Sequence, residues 1–275
     1  MRLATWNVNS VSARLPRLHE WLDRVQPDVV CLQETKCAGD AFPADGVRQR
    51  GYHVVAHGDG RWNGVAILSR LEPADVALGF DGQPGYAAEP VEDTLVDVPP
   101  EPLVEARAVG ATCGPLRVWS VYVPNGRSVG SAHYTYKLDW LAALRHALAA
   151  EVEAGTPFAV TGDFNVAPGD DDVWDPAAFA DSTHVTKQER QALAELRGLG
   201  LHDVLPRALK HDTPFTYWDY RAGMFHKNMG MRIDLVYASQ AAASVVTDAY
   251  VDRDARKGKG PSDHAPVVVD LDLAG

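Results

Sequence analysis

The sequence has few cysteines, no long apolar run and no excess of positive charge. Its three cysteines, Cys31, Cys37 and Cys113, show neither metal-type spacing nor the even number of a disulfide framework. No run approaches the roughly 18 apolar residues of a membrane-spanning helix. Met1 and Arg2 lead directly into a strand pattern, without the apolar region of a secretory signal. These absences predict a cytoplasmic protein with reduced thiols and no membrane association.

Acidic residues outnumber basic ones by 37 to 26, which gives a formal net charge of −11. A nucleic-acid-binding protein ordinarily has the opposite sign. Six of the acids lie between Asp81 and Pro102 among Pro and Gly residues, which predicts a solvated acidic loop. The local electric field steers a polyanion more than the net charge of the protein does. The basic residues near positions 230–234 and 262–266 therefore form either an anion-binding face or ordinary surface charge. These residues are Arg221, Lys227, Arg232, Arg253, Arg256, Lys257 and Lys259.

Apolar segments of strand length alternate with helical patterns along the whole chain. Hydrophobic residues make up 46% of the sequence, enough for the core of a single domain over residues 1–275. Apolar residues at helical spacing predict helices at about 12–25, 136–152 and 187–198. Strand patterns lie near 2–8, 28–33, 52–56, 64–69, 104–112, 116–123, 157–162, 233–238, 245–251 and 266–272. Two sheets packed face to face, with helices outside, would bring strand ends from both halves to one rim.

Polar side chains follow several of these predicted strands at the point where each strand ends. The run 157–161 leads to Asp163 and Asn165, which share one face of an extended chain. The run 28–32 leads to Glu34, and the first strand ends at Asn7. A single Asp or Asn after a strand is usually a turn residue or helix cap. Several such ends together predict a metal-dependent site at the edge of a sheet.

Short motifs are distributed from the first residues to the last. They are WNVN at 6–9, QETK at 33–36, YVPNG at 122–126, GDFN at 162–165, GMRID at 230–234 and SDHAP at 262–266. Over essentially the whole chain, they resemble the exonuclease III family of apurinic/apyrimidinic endonucleases, within the endonuclease/exonuclease/phosphatase superfamily. GDFN and SDHAP indicate only the superfamily. QETK, GMRID and the aromatic box TYWDYR at 216–221 are typical of the DNA repair branch.

The resemblance implies a four-layered α/β sandwich, with two mixed β-sheets packed face to face and helices outside. It also implies a Mg²⁺-dependent (or Mn²⁺-dependent) DNA repair nuclease. Such an enzyme incises duplex DNA 5′ to abasic sites and removes 3′-blocking groups or nucleotides in the 3′→5′ direction. We therefore expect duplex DNA as the partner of a monomeric protein.

Phosphodiester cleavage requires an activated nucleophile and neutralisation of the growing negative charge. Because Mg²⁺ prefers oxygen ligands, Glu34 is the best candidate ligand, helped by Asn7, and Asp263 could join from the far side of the rim. Asp163 is then free to position or deprotonate the attacking water. Further roles follow from the chemistry of the side chains and match those of the family.

Four more side chains complete the predicted catalytic set. Asn165 orients the phosphate or the water, and Tyr122 presents a phenol to the phosphate. His264 donates to a non-bridging oxygen, because His is the side chain best suited to proton handling near neutral pH. Asp234 is its expected carboxylate partner, since an acid inside the strand pattern at 233–238 would be costly to bury unpaired.

Substrate choice depends on a second set of residues. Similarity to the family suggests that Tyr217, Met231 and Ile233 line a pocket for the abasic sugar. Trp218, with Tyr220, either stacks on bases or belongs to the core, because aromatic side chains serve both purposes. Asn125 and Arg127 are predicted to hold the DNA backbone.

Two other functions are compatible with parts of this pattern. A phosphatase of the same superfamily would act on an inositol phosphate or phospholipid, although the TYWDYR segment argues against it. A catalytically silent DNA-binding relative would keep the fold, although the retained Glu34, Asp163 and His264 argue against that.

Overall fold

The computed structural model describes residues 1–60, 62–87 and 101–273. Its strands are β1 (Arg2–Asn7), β2 (Val29–Gln33), β3 (His53–His57), β4 (Val65–Ser69), β5 (Ala74–Leu78), β6 (Ala108–Cys113), β7 (Leu116–Tyr122), β8 (Phe158–Asp163), β9 (His202–Asp203), β10 (Asp234–Ala238), β11 (Val246–Val251) and β12 (Val267–Leu271). Its α-helices are α1 (Val11–Val25), α2 (Asp45–Arg48), α3 (Ala132–Glu153), α4 (Lys187–Gly198), α5 (Met224–Lys227) and α6 (Gln240–Ala243).

The strands form two mixed sheets of six, with the orders β11-β12-β1-β2-β4-β3 and β5-β6-β7-β8-β10-β9, in the described part of the chain. Each sheet contains one parallel pair, β1 with β2 and β7 with β8. Helix α1 connects the first pair and α3 connects the second. The two halves therefore repeat one β–α–β unit, as the two acid-tipped strands suggested.

Three apolar clusters separate the layers of the molecule. The largest fills the space between the two sheets and includes Cys31, Ile67 and Val118. A second covers the outer face of one sheet with α3 and α4, and a third covers the other sheet with α1. The predicted four-layered sandwich of two mixed sheets is confirmed, with helices on both outer faces.

A polar contact crosses the apolar layer directly beneath the rim. Gln33 is fully buried, and its Nε2 lies 3.0 Å from Thr5 Oγ1 in its own sheet and 3.0 Å from Ser120 Oγ in the opposite sheet. A buried amide is costly unless it is hydrogen-bonded. This contact therefore fixes one sheet against the other immediately before Glu34.

Several boundaries differ from those the sequence predicts. Strand β5 was not predicted, because most of its residues are exposed and show no apolar alternation, and β9 has only two residues. Helix α3 begins four residues earlier than predicted, where the Ser131 hydroxyl accepts from the Tyr134 amide. Glu89, Glu92, Asp93 and Asp97 of the expected acidic loop lie outside the described residues.

All three cysteines are free thiols, as expected. In the ranges that the structure describes, no helix is both long enough and apolar enough to cross a membrane.

Candidate active site

The carboxyl ends of the two parallel strand pairs lie at the same rim of the sandwich. Asn7 pairs with Gln33 at the end of one parallel ladder, and Tyr122 pairs with Asp163 at the end of the other. On the far side of β8, Asp163 is opposite Asp234, the first residue of β10. The ends of parallel strands are where open α/β sheets bind ligands.

The backbone turns sharply where the strands deliver these side chains. Glu34 and Asn165 both have φ of 51°, in the left-handed region that non-glycine residues seldom occupy. Such a conformation costs about 1–3 kcal/mol for a residue such as Glu34, and less for asparagine, and it clusters at functional sites. Gly162 is required for a different reason, because a Cβ there would overlap the Val121 carbonyl on the neighbouring strand. Only glycine lets β8 approach β7 this closely.

Glu34, Asp163 and His264 form the centre of the site. Each offers a potential ligand atom, and these atoms lie within 4.8 Å of one another. The amide nitrogen of Asn7 lies between the two acids, 2.9 Å from Glu34 Oε1 and 2.9 Å from Asp163 Oδ2. Its oxygen accepts a 3.0 Å hydrogen bond from the amide of Asn9. Asn7, predicted to help bind the metal, therefore connects the two acids through its side-chain amide.

His264 is held by contacts at its ring and its backbone. Its Nδ1 lies 2.8 Å from Asp234 Oδ2, and its Nε2 lies 3.9 Å from Asp163 Oδ2. The indole N–H of Trp6 donates to the His264 carbonyl at 3.2 Å. The predicted pairing of His264 with Asp234 is present, and it leaves Nε2 facing the carboxylates of the site.

Burial and neighbouring charges shift the pKa values of Asp163, Glu34 and His264. Burial, with the neighbouring Asp234 and Glu34 carboxylates, raises the pKa of Asp163 to about 7, although His264 opposes this shift. Burial alone would lower the pKa of His264, but Asp234 and Asp163 raise it to about 10. Burial would raise the pKa of Glu34, but Lys36 and Asn7 hold it below its usual range.

The donor set suits a hard divalent cation. Four carboxylates, from Glu34, Asp163, Asp234 and Asp263, lie at or next to one cavity. The Lys36 ammonium, 2.8 Å from Glu34 Oε2, and His264 compensate only part of this charge. Oxygen ligands and excess negative charge are the preferences of Mg²⁺ and Mn²⁺. Glu34 is one residue that can hold such an ion, because its carboxylate lies in the cavity with Asp163 and His264.

The centre opens into a cavity of about 400 Å³. Its polar side includes Tyr122, Asn125 and Asn165, and Asn125 Nδ2 donates to Asn165 Oδ1 at 3.1 Å. Its other side is more apolar. The residues lining that side include Trp174, Phe179, Tyr217, Met224, Met229, Met231 and Ile233. The cavity therefore places a side rich in hydrogen-bonding groups next to a more apolar surface.

Most predicted substrate-binding residues line this cavity, but two do not. Asn125, Tyr217, Met231 and Ile233 line it, and the Tyr217 ring lies 4.9 Å from the His264 ring. Trp218, predicted either to bind substrate or to belong to the core, is 1% exposed and packs edge-on against Phe225, which places it in the core. Arg127 is exposed outside the cavity lining.

The predicted basic face is only partly available to an anion. Arg232 is 3% exposed and forms ion pairs with Asp172 and Asp203, so its charge is not available to an anion. Arg256 is 6% exposed and donates to the Trp218 carbonyl. The exposed cations near the cavity are also paired in part, since Arg221 contacts Asp219 at 2.6 Å.

The sequence analysis missed several residues of the site. His184 lines the cavity, and its Nδ1 lies 2.5 Å from the Asn165 carbonyl. No local pattern marks it, since it is an isolated histidine in a loop. Asn9 and Lys36 also contact the acids, and both belong to motifs that the sequence analysis recognised for other residues.

The fold and the acid–histidine cluster define the class of protein as a hydrolase of phosphate esters. Residues 4–264 match the model of the Endonuclease/Exonuclease/phosphatase family. The chain is 31% identical to exodeoxyribonuclease III of Haemophilus influenzae, over 97% of this chain and 98% of that protein. The chain belongs to this family, and its expected relationship to exonuclease III and the AP endonucleases is confirmed.

Solved structures show the same relationship. A 3′-5′ exonuclease (NExo) from Neisseria meningitidis is 37% identical, with a TM-score of 0.88 over 99% of this chain and 100% of that one. A second structure of the Neisseria protein, described as a 3′ phosphatase bound to product DNA hairpin, is also similar, with a TM-score of 0.88. An AP endonuclease from Archaeoglobus fulgidus is 35% identical, with a TM-score of 0.87 over 99% of this chain and 100% of that one.

Proposed function

We propose that this protein is a DNA repair nuclease that hydrolyses phosphodiesters with the help of Mg²⁺ or Mn²⁺. It incises duplex DNA 5′ to abasic sites and removes blocking groups or nucleotides from 3′ ends. The observation that carries the proposal is the convergence of Glu34, Asp163 and His264 within 4.8 Å. The names of the similar proteins, which include an exodeoxyribonuclease III, a 3′-5′ exonuclease and an AP endonuclease, support DNA as the substrate.

Asp163 is the proposed general base. Its carboxylate is buried at the base of the cavity, and Oδ1 accepts a 2.9 Å hydrogen bond from the Asn165 amide. Oδ2 accepts from Asn7, which keeps the carboxylate in one orientation. A base with a pKa near the working pH transfers protons most efficiently. Asp163 therefore takes a proton from the attacking water, and Asn165 orients the water or the phosphate.

His264 stabilises the charge that develops on the phosphate. Asp234 accepts from one ring nitrogen and raises the imidazole pKa, so the ring donates from Nε2 to a non-bridging oxygen. Tyr122 lines the same cavity and presents its phenol to the phosphate. Donors that are already in position when charge develops are the strongest contributors to such catalysis.

Glu34 holds the divalent cation in this proposal, and Asp263 joins it from the opposite side of the cavity. A bound cation supplies charge neutralisation and polarises the phosphoryl oxygens. Asn7 fixes the Glu34 carboxylate, because it donates to Oε1 at 2.9 Å. Asn9 does the same for Asp263, with a 3.0 Å hydrogen bond to Oδ1.

The apolar side of the cavity provides the proposed preference for damaged DNA. Extruding a nucleotide from a duplex costs least where its base is already missing. Tyr217, Met231 and Ile233 can contact a bare deoxyribose, while an attached base would need more room. Asn125 at the rim, with Arg127 outside it, holds the neighbouring backbone. The protein acts as a cytoplasmic monomer in this proposal.

One panel of substrates tests the function. Labelled duplexes with one abasic site, with a 3′-phosphate and with an intact 3′ end are each incubated in Mg²⁺ and in EDTA, beside an inositol phosphate. Incision of the abasic duplex and processing of the 3′ ends in Mg²⁺ alone are expected. Phosphate released only from the inositol phosphate would support the phosphatase alternative. DNA binding without turnover would support the silent relative.

Asp163→Asn and the exposed Asp171→Asn are the matched variants for this panel. Both replace a carboxyl group with an amide of the same shape, but only Asp163 lies in the cavity. Activity that persists in Asp163→Asn would show that a contaminating nuclease, or a different site, is responsible.

A further inference from the structure

Lys137 is a buried cation that the proposed mechanism leaves without a role. It projects from helix α3, and its side chain is fully buried. Four oxygens lie within reach of its ammonium: Glu189 Oε1 at 2.5 Å, Asn165 O at 2.7 Å, Asn125 O at 3.2 Å and Thr183 Oγ1 at 3.2 Å. An ammonium carries three N–H donors, so this group is completely satisfied.

Two of these acceptors are the carbonyls of residues that line the cavity. Asn125 and Asn165 are in separate loops, one after β7 and the other after β8. Lys137 therefore connects the backbones of both loops through one atom. The Asn165 carbonyl also contacts Nδ1 of His184. Asn165 has a left-handed φ of 51°, a conformation that asparagine adopts more readily than most other residues with a side chain.

Glu189 connects the same ammonium to a third loop. Its Oε1 accepts from Thr183 Oγ1 at 2.6 Å and from the His184 amide at 2.9 Å. Its Oε2 accepts from the Thr186 amide, which completes the capping box at the start of α4. Although burial alone raises the pKa of Glu189, Lys137 holds it below its usual range.

The network leads directly to the proposed general base. The Asn165 amide donates to Asp163 Oδ1 at 2.9 Å, and Asn165 Nδ2 donates to the Val123 carbonyl at 3.0 Å. The N–H and the carbonyl of Asn165 belong to successive peptide units joined at its Cα, so a shift of this backbone would move both the donor to Asp163 and the side chain in the cavity. A buried ion pair gives little net stability compared with apolar side chains, so positioning is the more informative role to test.

We propose that Lys137 and Glu189 are positioning residues for the reaction, whose buried ion pair holds the loops of Asn125, Asn165 and His184 in the arrangement that orients Asp163. The pair touches neither substrate nor reacting atoms and acts through the backbone carbonyls. This inference rests on the proposed function, since it assigns a catalytic consequence to that site. A misplacement of about 1 Å in such a site can cost about 100-fold in rate.

The test uses the double variant Lys137→Met/Glu189→Gln, which removes both charges and leaves no charge buried alone. Steady-state kinetics on the abasic duplex should show kcat reduced by about 10- to 100-fold and KM changed by less than about threefold. Leu148→Ala is the matched control, because Leu148 is a buried apolar residue at the other end of the same helix. The kcat of Leu148→Ala should stay near the wild-type value even if its melting temperature falls as far as that of the double variant.

Hydrogen exchange of the intact protein gives a readout that does not depend on activity. Amides in 122–127 and 162–167 should exchange faster in the double variant than in Leu148→Ala, because local opening reports the loss of holding contacts. Unchanged exchange in both segments would overturn the proposal, even if the wild-type protein proved not to be a nuclease. A wild-type kcat in the double variant, or an equal loss in Leu148→Ala at matched stability, would overturn it as well.

Discussion

Asp234 Oδ2 accepts a 2.8 Å hydrogen bond from Nδ1 of His264, in a contact that joins β10 to the loop before β12. Both side chains are buried, and the other ring nitrogen of His264 faces Asp163 at 3.9 Å. The acid on β10 thus fixes which way the imidazole points and favours its protonated form. Because β10 and β12 belong to different sheets, this contact also helps to fix one sheet against the other at the site.

Removing Asp234 should therefore affect the reaction through His264. We expect Asp234→Asn and His264→Asn each to lower kcat by about 100-fold or more. The double variant should be little worse than His264→Asn alone, since residues that act as a unit are not additive. Single-turnover kinetics on the abasic duplex would measure all three. Fully multiplicative losses would show that Asp234 acts independently of the imidazole.

The protonation of His264 should be visible in the metal-free protein. Its pKa is raised to about 10 in the folded state, against a usual value of about 6.5. The ring should therefore stay protonated at pH 8, as seen in histidine nitrogen NMR shifts, and Asp234→Asn should lower its pKa.

The raised pKa of His264 also predicts how the stability of the protein depends on pH. A pKa raised by folding gives stability that is complete below about pH 6.5 and lost as the pH rises towards 10. Denaturant titrations of wild type and His264→Gln should converge over that range. A difference in unfolding free energy that grows with pH would contradict the assignment.

Asp163→Asn should remove the proposed base while keeping its shape. Turnover is expected to fall by about 100- to 10,000-fold, with the dissociation constant for abasic DNA nearly unchanged. A fluorescence anisotropy titration would measure binding and a gel assay would measure turnover. If the variant loses binding and turnover in parallel, Asp163 positions substrate or metal rather than accepting a proton.

Asn7 should tune the metal without contacting it. Asn7→Ala removes the donor that joins Glu34 to Asp163. Loss of a hydrogen bond that orients a metal-binding carboxylate typically costs about 10- to 100-fold in metal affinity. The Mg²⁺ concentration for half-maximal activity should rise accordingly, whereas Glu34→Gln should remain poorly active at any concentration. Activity of Glu34→Gln in EDTA would contradict a metal role for this acid.

Tyr217 should influence the choice of substrate more than the chemistry. Its ring lines the cavity beside His264. We expect Tyr217→Ala to raise KM for the abasic duplex more than it affects removal of a 3′-phosphate. Tyr250→Ala is a control on a partly exposed tyrosine outside the cavity. Equal cleavage of abasic and intact duplexes by the wild-type protein would contradict the pocket argument and favour a general exonuclease.

Weak phosphate contact should appear in the salt dependence of binding. The chain has a net charge of −11, and Arg232 and Arg256 are buried. The slope of log K against log salt should therefore correspond to only a few phosphates, at about 0.9 per contact for duplex DNA. A slope of eight or more contacts, on the same scale, would show a larger cationic surface.

The sequence by itself determined ten of the twelve strands of the described residues, the three long helices, and the chemistry at the ends of those strands. Apolar runs of strand length and apolar residues at helical spacing report burial, which local patterns record directly. Asp163, Glu34 and His264 were found because each lies next to such a run in a short motif. Strand β5 was missed because an exposed edge strand has no apolar alternation to recognise.

Only the tertiary structure decided which polar groups meet. Asn7 lies between Glu34 and Asp163, which are 27 and 156 residues away in the chain, so no local pattern could assign its role. Burial of Trp218 and Arg232 depends on neighbours from distant segments. His184 and Lys137 gain significance only through the Asn165 carbonyl that both contact. Contacts of this kind are set by packing between layers, because folding brings together side chains that the sequence keeps apart.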